Sequence, residues 1–143
     1  SGKRFFTNEW EVLRDREYLW IQKKDSSPLI PELIIEEIER TPSFVIPRDK
    51  HIACLDADKL NHPLTIRKWE RGDKFIPLGM NGKKKVSDYL TDKKYSLFQK
   101  ENQYVVCSGE DIVWLVNERT DHRYRITDST QRILLIKIKK DGQ

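Results

Sequence analysis

Tyr104-Val105-Val106-Cys107-Ser108-Gly109-Glu110-Asp111-Ile112-Val113-Trp114-Leu115-Val116 is the stretch that decides the fold. Two runs rich in β-branched and aromatic residues, 104–106 and 112–116, flank Ser108-Gly109-Glu110-Asp111, whose glycine and short polar side chains suit a chain reversal. The pattern predicts a β-hairpin. Short strands recur outward from it. Residues 44–46, 52–55 and 64–67 read as strands, as do Tyr18-Leu19-Trp20-Ile21 near the start. Leu134, Ile136 and Ile138 alternate with Leu135, Lys137 and Lys139 in a last one. Alternation over residues 123–126 puts Arg123 and Arg125 on one face of a further strand, Tyr124 and Ile126 on the other. Leu33, Ile34 and Ile38 fit a helix or a strand, and Thr41-Pro42 ends either. Val86, Tyr89 and Leu90 have the i, i+3, i+4 spacing of a short amphipathic helix. Many short strands with one or two short helices predict an α+β, mostly β domain, not a doubly wound nucleotide-binding one.

A chain of 143 residues has room for one domain or two small halves sharing a core, and its fourteen aromatic residues are too many for a disordered chain. No apolar run is long enough to span a bilayer and no secretory pattern opens the sequence, so a soluble, cytoplasmic protein is expected. Two cysteines, Cys54 and Cys107, fit reduced thiols, although a single disulfide between them is also compatible with the sequence. Ser1-Gly2 without a methionine reads as the remnant of a cleaved tag, and the chain as a piece of a larger protein.

The net charge of +4 is unevenly distributed. Residues 62–100 hold ten basic and four acidic side chains, whereas 1–61 are net minus two and 101–143 are neutral. The change of sign near Asn61-His62-Pro63 marks the best domain boundary, dividing a preceding segment, 1–61, from a module, 62–143. Within the basic segment Lys83-Lys84-Lys85 follows Pro77-Leu78-Gly79-Met80-Asn81-Gly82. A lysine triplet repels itself unless an anion sits opposite. Glycines 79 and 82 leave main-chain N–H groups unshielded, and the predicted helix begins next to them. The combination reads as a phosphate-binding corner, against the plainer reading of a solvated charge run.

Arg67, Arg71, Arg119, Arg123 and Arg125 lie among aromatic and β-branched residues. A guanidinium holds a phosphate with two N–H groups or stacks on a base, which suits RNA, while Glu70, Asp73, Glu118 and Asp121 offer them ion pairs instead. Trp69, Phe75, Tyr89 and Trp114 suit either base stacking or a core. Metal sites can be drawn from His51-x-x-Cys54 with His62, or from Asp56-x-Asp58, but neither has the ligand number that zinc or a hard cation recruits. There is no Walker sequence and no Ser-Gly-Gly-x-Asp-Ser loop, so ATP activation is not expected of this chain alone. Ser87-Asp88 lacks the setting of a hydrolase nucleophile.

Leu64-Thr65-Ile66-Arg67-Lys68-Trp69-Glu70-Arg71-Gly72-Asp73-Lys74-Phe75-Ile76-Pro77-Leu78-Gly79-Met80, followed by Lys83-Lys84-Lys85-Val86-Ser87-Asp88-Tyr89-Leu90-Thr91-Asp92-Lys93, resembles the C-terminal domain of the tRNA(Ile)-lysidine synthases. The likeness joins an R-x-W-x-x-G-D-x-F-x-P-L-G-M string to a K-K-x-S-D-aromatic string. It continues through Ile112-Val113-Trp114 and Arg119-Thr120-Asp121-His122-Arg123-Tyr124-Arg125-Ile126-Thr127, covering roughly residues 62 to 138. Asn117 stands where the family usually has Gly, and Thr120 where it has Ile; Asn tolerates the positive φ that a turn there needs. The resemblance implies a layered β/β/α module similar to a domain of the phenylalanyl-tRNA synthetase β subunit. It implies a parent ligase that uses ATP to join lysine to cytidine 34 of an isoleucine tRNA with a CAU anticodon. Catalysis would belong to an N-terminal pyrophosphate-loop domain, and no family active-site residue falls on this chain. The expectation is thus a tRNA-binding module that needs no cofactor of its own and contacts the parent's catalytic domain. Lys83, Lys84, Lys85, Lys74 and Arg71 would hold phosphates, with Arg67, Arg119, Arg123 and Arg125 extending the track. The rivals are a module docking its basic loop on an acidic face of the catalytic domain, and a metal-dependent phosphoesterase built on Asp56 and Asp58.

Overall fold

A computed structural model describes residues 30–139; the strand read over residues 18–21 and the Ser1-Gly2 remnant lie outside them. The described elements are, in order, β1 (Leu33–Glu39), β2 (Ala53–Asp56), a 3-10 turn (Ala57–Lys59), β3 (Leu64–Lys68), β4 (Lys74–Phe75), β5 (Lys84–Lys85), α1 (Val86–Asp92), α2 (Leu97–Glu101), β6 (Tyr104–Ser108), β7 (Asp111–Leu115), β8 (Arg119–Thr120), a 3-10 turn (His122–Tyr124) and β9 (Arg132–Ile138). All pairings are antiparallel. They form a sheet β1-β9-β2, a sheet β3-β6-β7-β8 and the small ribbon β4-β5. The first sheet takes strands from both sides of residue 61.

Two apolar layers follow from this order. Leu33, Ile35, Leu55, Leu134 and Ile136 of the first sheet meet Leu64, Ile66, Val106 and Trp114 of the second. On the opposite side of the second sheet, Val105, Cys107, Ile112 and Leu115 are covered by Phe75 from β4 and by Val86, Tyr89 and Leu90 from α1. The architecture is therefore sheet, sheet, then a thin cap of one helix and one ribbon. Ala53, Val105 and Val113 are small or branched residues fully withdrawn from water, and an interior packed this closely penalises truncation of any of them.

The hairpin predicted from residues 104–116 is the centre of the second sheet, with a detail that alternation does not show. The register passes from Val106↔Trp114 to Cys107↔Ile112, so Val113 has no opposite residue and forms a bulge. The bulge shifts the phase of β7, letting Ile112 and Leu115, three residues apart, face the same layer. At the turn Gly109 has φ +62, and a Cβ there would lie 2.8 Å from the His62 ring, so only glycine fits. Asn117 likewise takes φ +62, the conformation its replacement of Gly requires.

Leu33, Ile34 and Ile38 resolve as strand because β9 offers them a ladder running from Leu33↔Ile138 to Glu39↔Arg132. Two expected strands do not form. Residues 44–46 make no ladder: the Phe44 amide closes a turn on the Thr41 carbonyl, and Val45 is 79% exposed between Pro42 and Pro47. Residues 123–126 form no strand because the Asp121 carboxylate accepts a hydrogen bond from the Arg123 amide (2.8 Å) and winds residues 122–124 into a 3-10 turn. Arg123 and Arg125 therefore do not share a strand face. No helix among the described residues is long and apolar enough to cross a membrane.

Candidate nucleic-acid interface

The basic groove is made by the β4-β5 ribbon and α1. Asp73 starts the construction: its carboxylate accepts from the Glu70 amide (2.7 Å) and from both terminal nitrogens of Arg67 (2.9 and 3.1 Å), closing the Glu70–Asp73 turn in which Gly72 sits at φ +95. The Val86 amide then donates to the Asp73 carbonyl (2.9 Å), fixing the first residue of α1 beside the ribbon. Phe75 drops from β4 into the core and meets Tyr89 edge-on, ring centres 5.6 Å apart. The conspicuous R-x-W-x-x-G-D-x-F string is thus mostly scaffold; even Trp69 uses its indole N–H to hold the Lys100 carbonyl at 2.6 Å.

What this scaffold presents is charge. The register pairs Lys74 directly with Lys85, and Phe75 with Lys84. Like charges opposite one another across a ribbon destabilise it. Lys74, Lys83, Lys84 and Lys85 line an open groove of about 640 Å³, whose other wall is Met80, Asp88, Thr91 and Asp92. Lys84 is neutralised by Asp92. The side chains of Lys74, Lys83 and Lys85 are exposed and make no ion pair or hydrogen bond among the described residues, and neither does that of Arg71. The α1 helix begins at the groove but is a single seven-residue stretch without a side-chain cap, and the lysines, not the helix end, dominate the field.

The remaining arginines are not gathered there. Arg67 is committed to Asp73. Burial opposes ionisation of Asp73, but its bonds from Arg67 and the Glu70 amide more than offset this and hold the carboxyl below its ordinary value. Arg119 lies over the Tyr89 ring at 5.8 Å instead of pairing with Glu118. Arg123 donates through Nε (2.9 Å) and Nη2 (3.0 Å) to Asp121 and lies 3.4 Å from Asp111, and Arg125 donates to the His122 carbonyl. Asp121, wholly buried, also accepts from the Ile76 amide at 2.9 Å, so this knot ties the loop after β4 to the chain leaving β8. Phe75, Tyr89 and Trp114 are core residues.

The metal readings find no constellation. Asp56 accepts from Thr130 and from the Asp58 amide, while Asp58 pairs with Arg132, so the two carboxylates serve different partners. No three His, Cys, Asp or Glu side chains among the described residues are grouped to share an ion. Cys54 and Cys107 are free thiols, each pushed up by burial to about 11.

One surface feature was not anticipated. Leu97 and Phe98 on α2 are each 73% exposed. The available signal was the capping box Ser96-Leu97-Phe98-Gln99, which starts a helix whose two apolar residues have no apolar partner at i+3 or i+4.

No protein-family model matches the chain. It is 55% identical over 140 residues, 96% of its length, to the tRNA(Ile)-lysidine synthase of Bacteroides thetaiotaomicron, and 44% identical over 149 aligned residues to that of Parabacteroides distasonis. It spans 33% and 34% of those two relatives, about a third of their length. In architecture it is similar to a crystal structure of the TILS C-terminal domain, with a TM-score of 0.65 at 20% identity over 81% of this chain and 88% of that one.

Proposed function

The chain belongs to the tRNA(Ile)-lysidine synthase family as a C-terminal domain, and from that premise we propose that it is the tRNA-gripping module of a cytoplasmic ligase. The parent uses ATP to join lysine to cytidine 34 of an isoleucine tRNA bearing a CAU anticodon. Its N-terminal domain carries that chemistry and is this module's covalent neighbour. The module contributes binding and orientation, which raise the effective concentration of the anticodon at a distant active site.

One observation carries the reading: Lys74 and Lys85 face each other across the ribbon with Lys83 beside them, all without a partner among the described residues. A fold that holds three cations together unneutralised is less stable for it, and a sugar-phosphate backbone removes the repulsion while releasing its own condensed counterions. Arg71, exposed in the Glu70–Asp73 turn that precedes β4, is a further cation whose side chain has no partner among the described residues. Arg67 and Arg123 are already engaged in carboxylate pairs, so the phosphate role rests on the lysines.

The test is the salt dependence of tRNA binding. The triple variant Lys74→Ala, Lys83→Ala, Lys85→Ala should lower the slope of log K against log salt by roughly 0.9 for each duplex phosphate it no longer neutralises, between two and three units in all. An unchanged slope refutes the reading. Docking of the same groove on an acidic face of the catalytic domain makes the opposite forecast: capture of the separated catalytic domain, and no shift of tRNA.

A further inference from the structure

The five-residue α2 is held in place by polar bonds. Ser96 and Gln99 cap it reciprocally, the Asn102 side-chain amide donates to the Phe98 carbonyl (2.8 Å), and Trp69 grips its last turn through the Lys100 carbonyl. None of its residues is buried. The fold therefore does not use the Phe98 ring, which stands in water at the edge of a pocket of about 560 Å³, within the roughly 300–1,000 Å³ of small-ligand clefts. Lys50, Lys93 and Lys94 line that pocket. Its one carboxylate, Glu118, accepts the Tyr95 hydroxyl, so the pocket's ammonium groups outnumber an acid that is already engaged. Lys94 occupies its place at φ +63, a left-handed conformation usually left to Gly or Asn. The pocket adjoins the lysine groove at the end of α1, where Lys100 donates to Thr91, itself a wall of the groove.

We propose that Phe98 is a stacking platform for an unpaired nucleobase of bound RNA, with the phosphates flanking that base held by Lys50, Lys93 and Lys94. The inference rests on the tRNA-binding reading and extends it to a second chemistry. A flat aromatic ring stacks on any base, and surrounding ammonium groups track the backbone on either side of it. A protein partner fits less well, because lysine is depleted where proteins bury aromatic anchors against each other. The groove and the pocket thus divide the labour: charge alone for paired RNA, ring plus charge for a strand that has left the duplex.

Two RNA hairpins with the same stem test this on the whole chain, one blunt and one carrying a short unpaired 3′ strand with 2-aminopurine. Phe98→Ala and Phe98→Leu should each weaken the overhanging RNA five- to hundredfold, abolish the fluorescence quenching of the 2-aminopurine and leave the blunt hairpin unaffected, while Phe98→Tyr binds like the native chain. Equal losses on both hairpins, native behaviour of Phe98→Ala, or a Leu variant as good as Phe overturns the proposal; the last outcome shows that no aromatic ring is needed at this position. If the groove lysine variants weaken both hairpins while Phe98→Ala stays native, only the stacking site falls. If the native chain binds neither hairpin, the tRNA reading falls with it.

Discussion

The lysine groove and the Asp121 knot carry the same kind of side chain to opposite ends. In the knot Arg123 faces the buried Asp121 and the nearby Asp111, and its donors are spent on holding a loop. In the groove Lys74 faces Lys85, and no carboxylate among the described residues pairs with either. A fork-shaped guanidinium with a carboxylate opposite is structural; point charges arranged against each other are available. Surface cations in this family of folds are therefore best sorted by partner, not by abundance.

The sharpest break in that comparison comes from the knot. Asp121→Ala leaves the Ile76 and Arg123 amides and the Arg123 side chain without their acceptor, and unsatisfied buried donors of this kind cost about 3 kcal/mol in all. Urea denaturation should show that loss. Arg123→Ala should destabilise less, because the Asp121 carboxylate keeps both backbone donors, and it should leave the salt slope of RNA binding at the native value. A slope reduced by a full unit would move Arg123 from the scaffold to the interface.

This division explains how much of the molecule was legible in the sequence. The hairpin at residues 104–116, buried on both faces, followed from its β-branched and aromatic runs around a glycine turn, and the last strand and the small helix followed from local alternation and spacing. The clustering of the lysines was legible because charge along the chain needs no tertiary information, whereas the Gly79 amide, expected to be open to an anion, donates to His122 Nδ1 at 3.0 Å. What failed needed a distant partner. Residues 123–126 alternate like a strand, yet Asp121 is pulled into the core by the Ile76 amide, 45 positions away, and bends them. Residues 44–46 are apolar, but no strand arrives to pair with them. Leu33 and Ile34 were undecidable until β9, a hundred residues later, supplied a ladder. The Val113 bulge left no trace because the residue that creates it is as apolar as its neighbours. Arg67 suited a phosphate or a neighbouring carboxylate equally well in the sequence, and only the folded chain shows its guanidinium held by Asp73, six residues on.

The groove permits a test in which stability and binding move in opposite directions. Lys85→Glu turns the Lys74–Lys85 pair into an opposite-charge pair across the ribbon, a change of about 0.5 kcal/mol in favour of folding. The same substitution removes one phosphate ligand and adds a repulsion, so RNA affinity should fall roughly tenfold at 0.15 M salt and the slope by about one unit. Thermal melting read beside a binding titration checks both signs on one sample. A variant that loses stability as well as affinity would mean that the two lysines are held apart by something other than each other.

The smallest expected effect separates the charge of Asp73 from its shape. Asp73→Asn keeps an oxygen for the Glu70 amide but removes the anion that Arg67 grips. The folded carboxyl is held below its ordinary value of 3.8, so the stability it adds is present above about pH 4 and disappears as pH falls through the folded value. The pair is partly exposed, and solvent screening limits its contribution to about 1 kcal/mol or less. The urea midpoints of the native chain and Asp73→Asn should therefore differ slightly at pH 7 and converge below pH 4. A difference that persists into acid would assign the loss to the turn's geometry; convergence makes the Arg67–Asp73 pair electrostatic, and Arg67 a cation already occupied when RNA arrives.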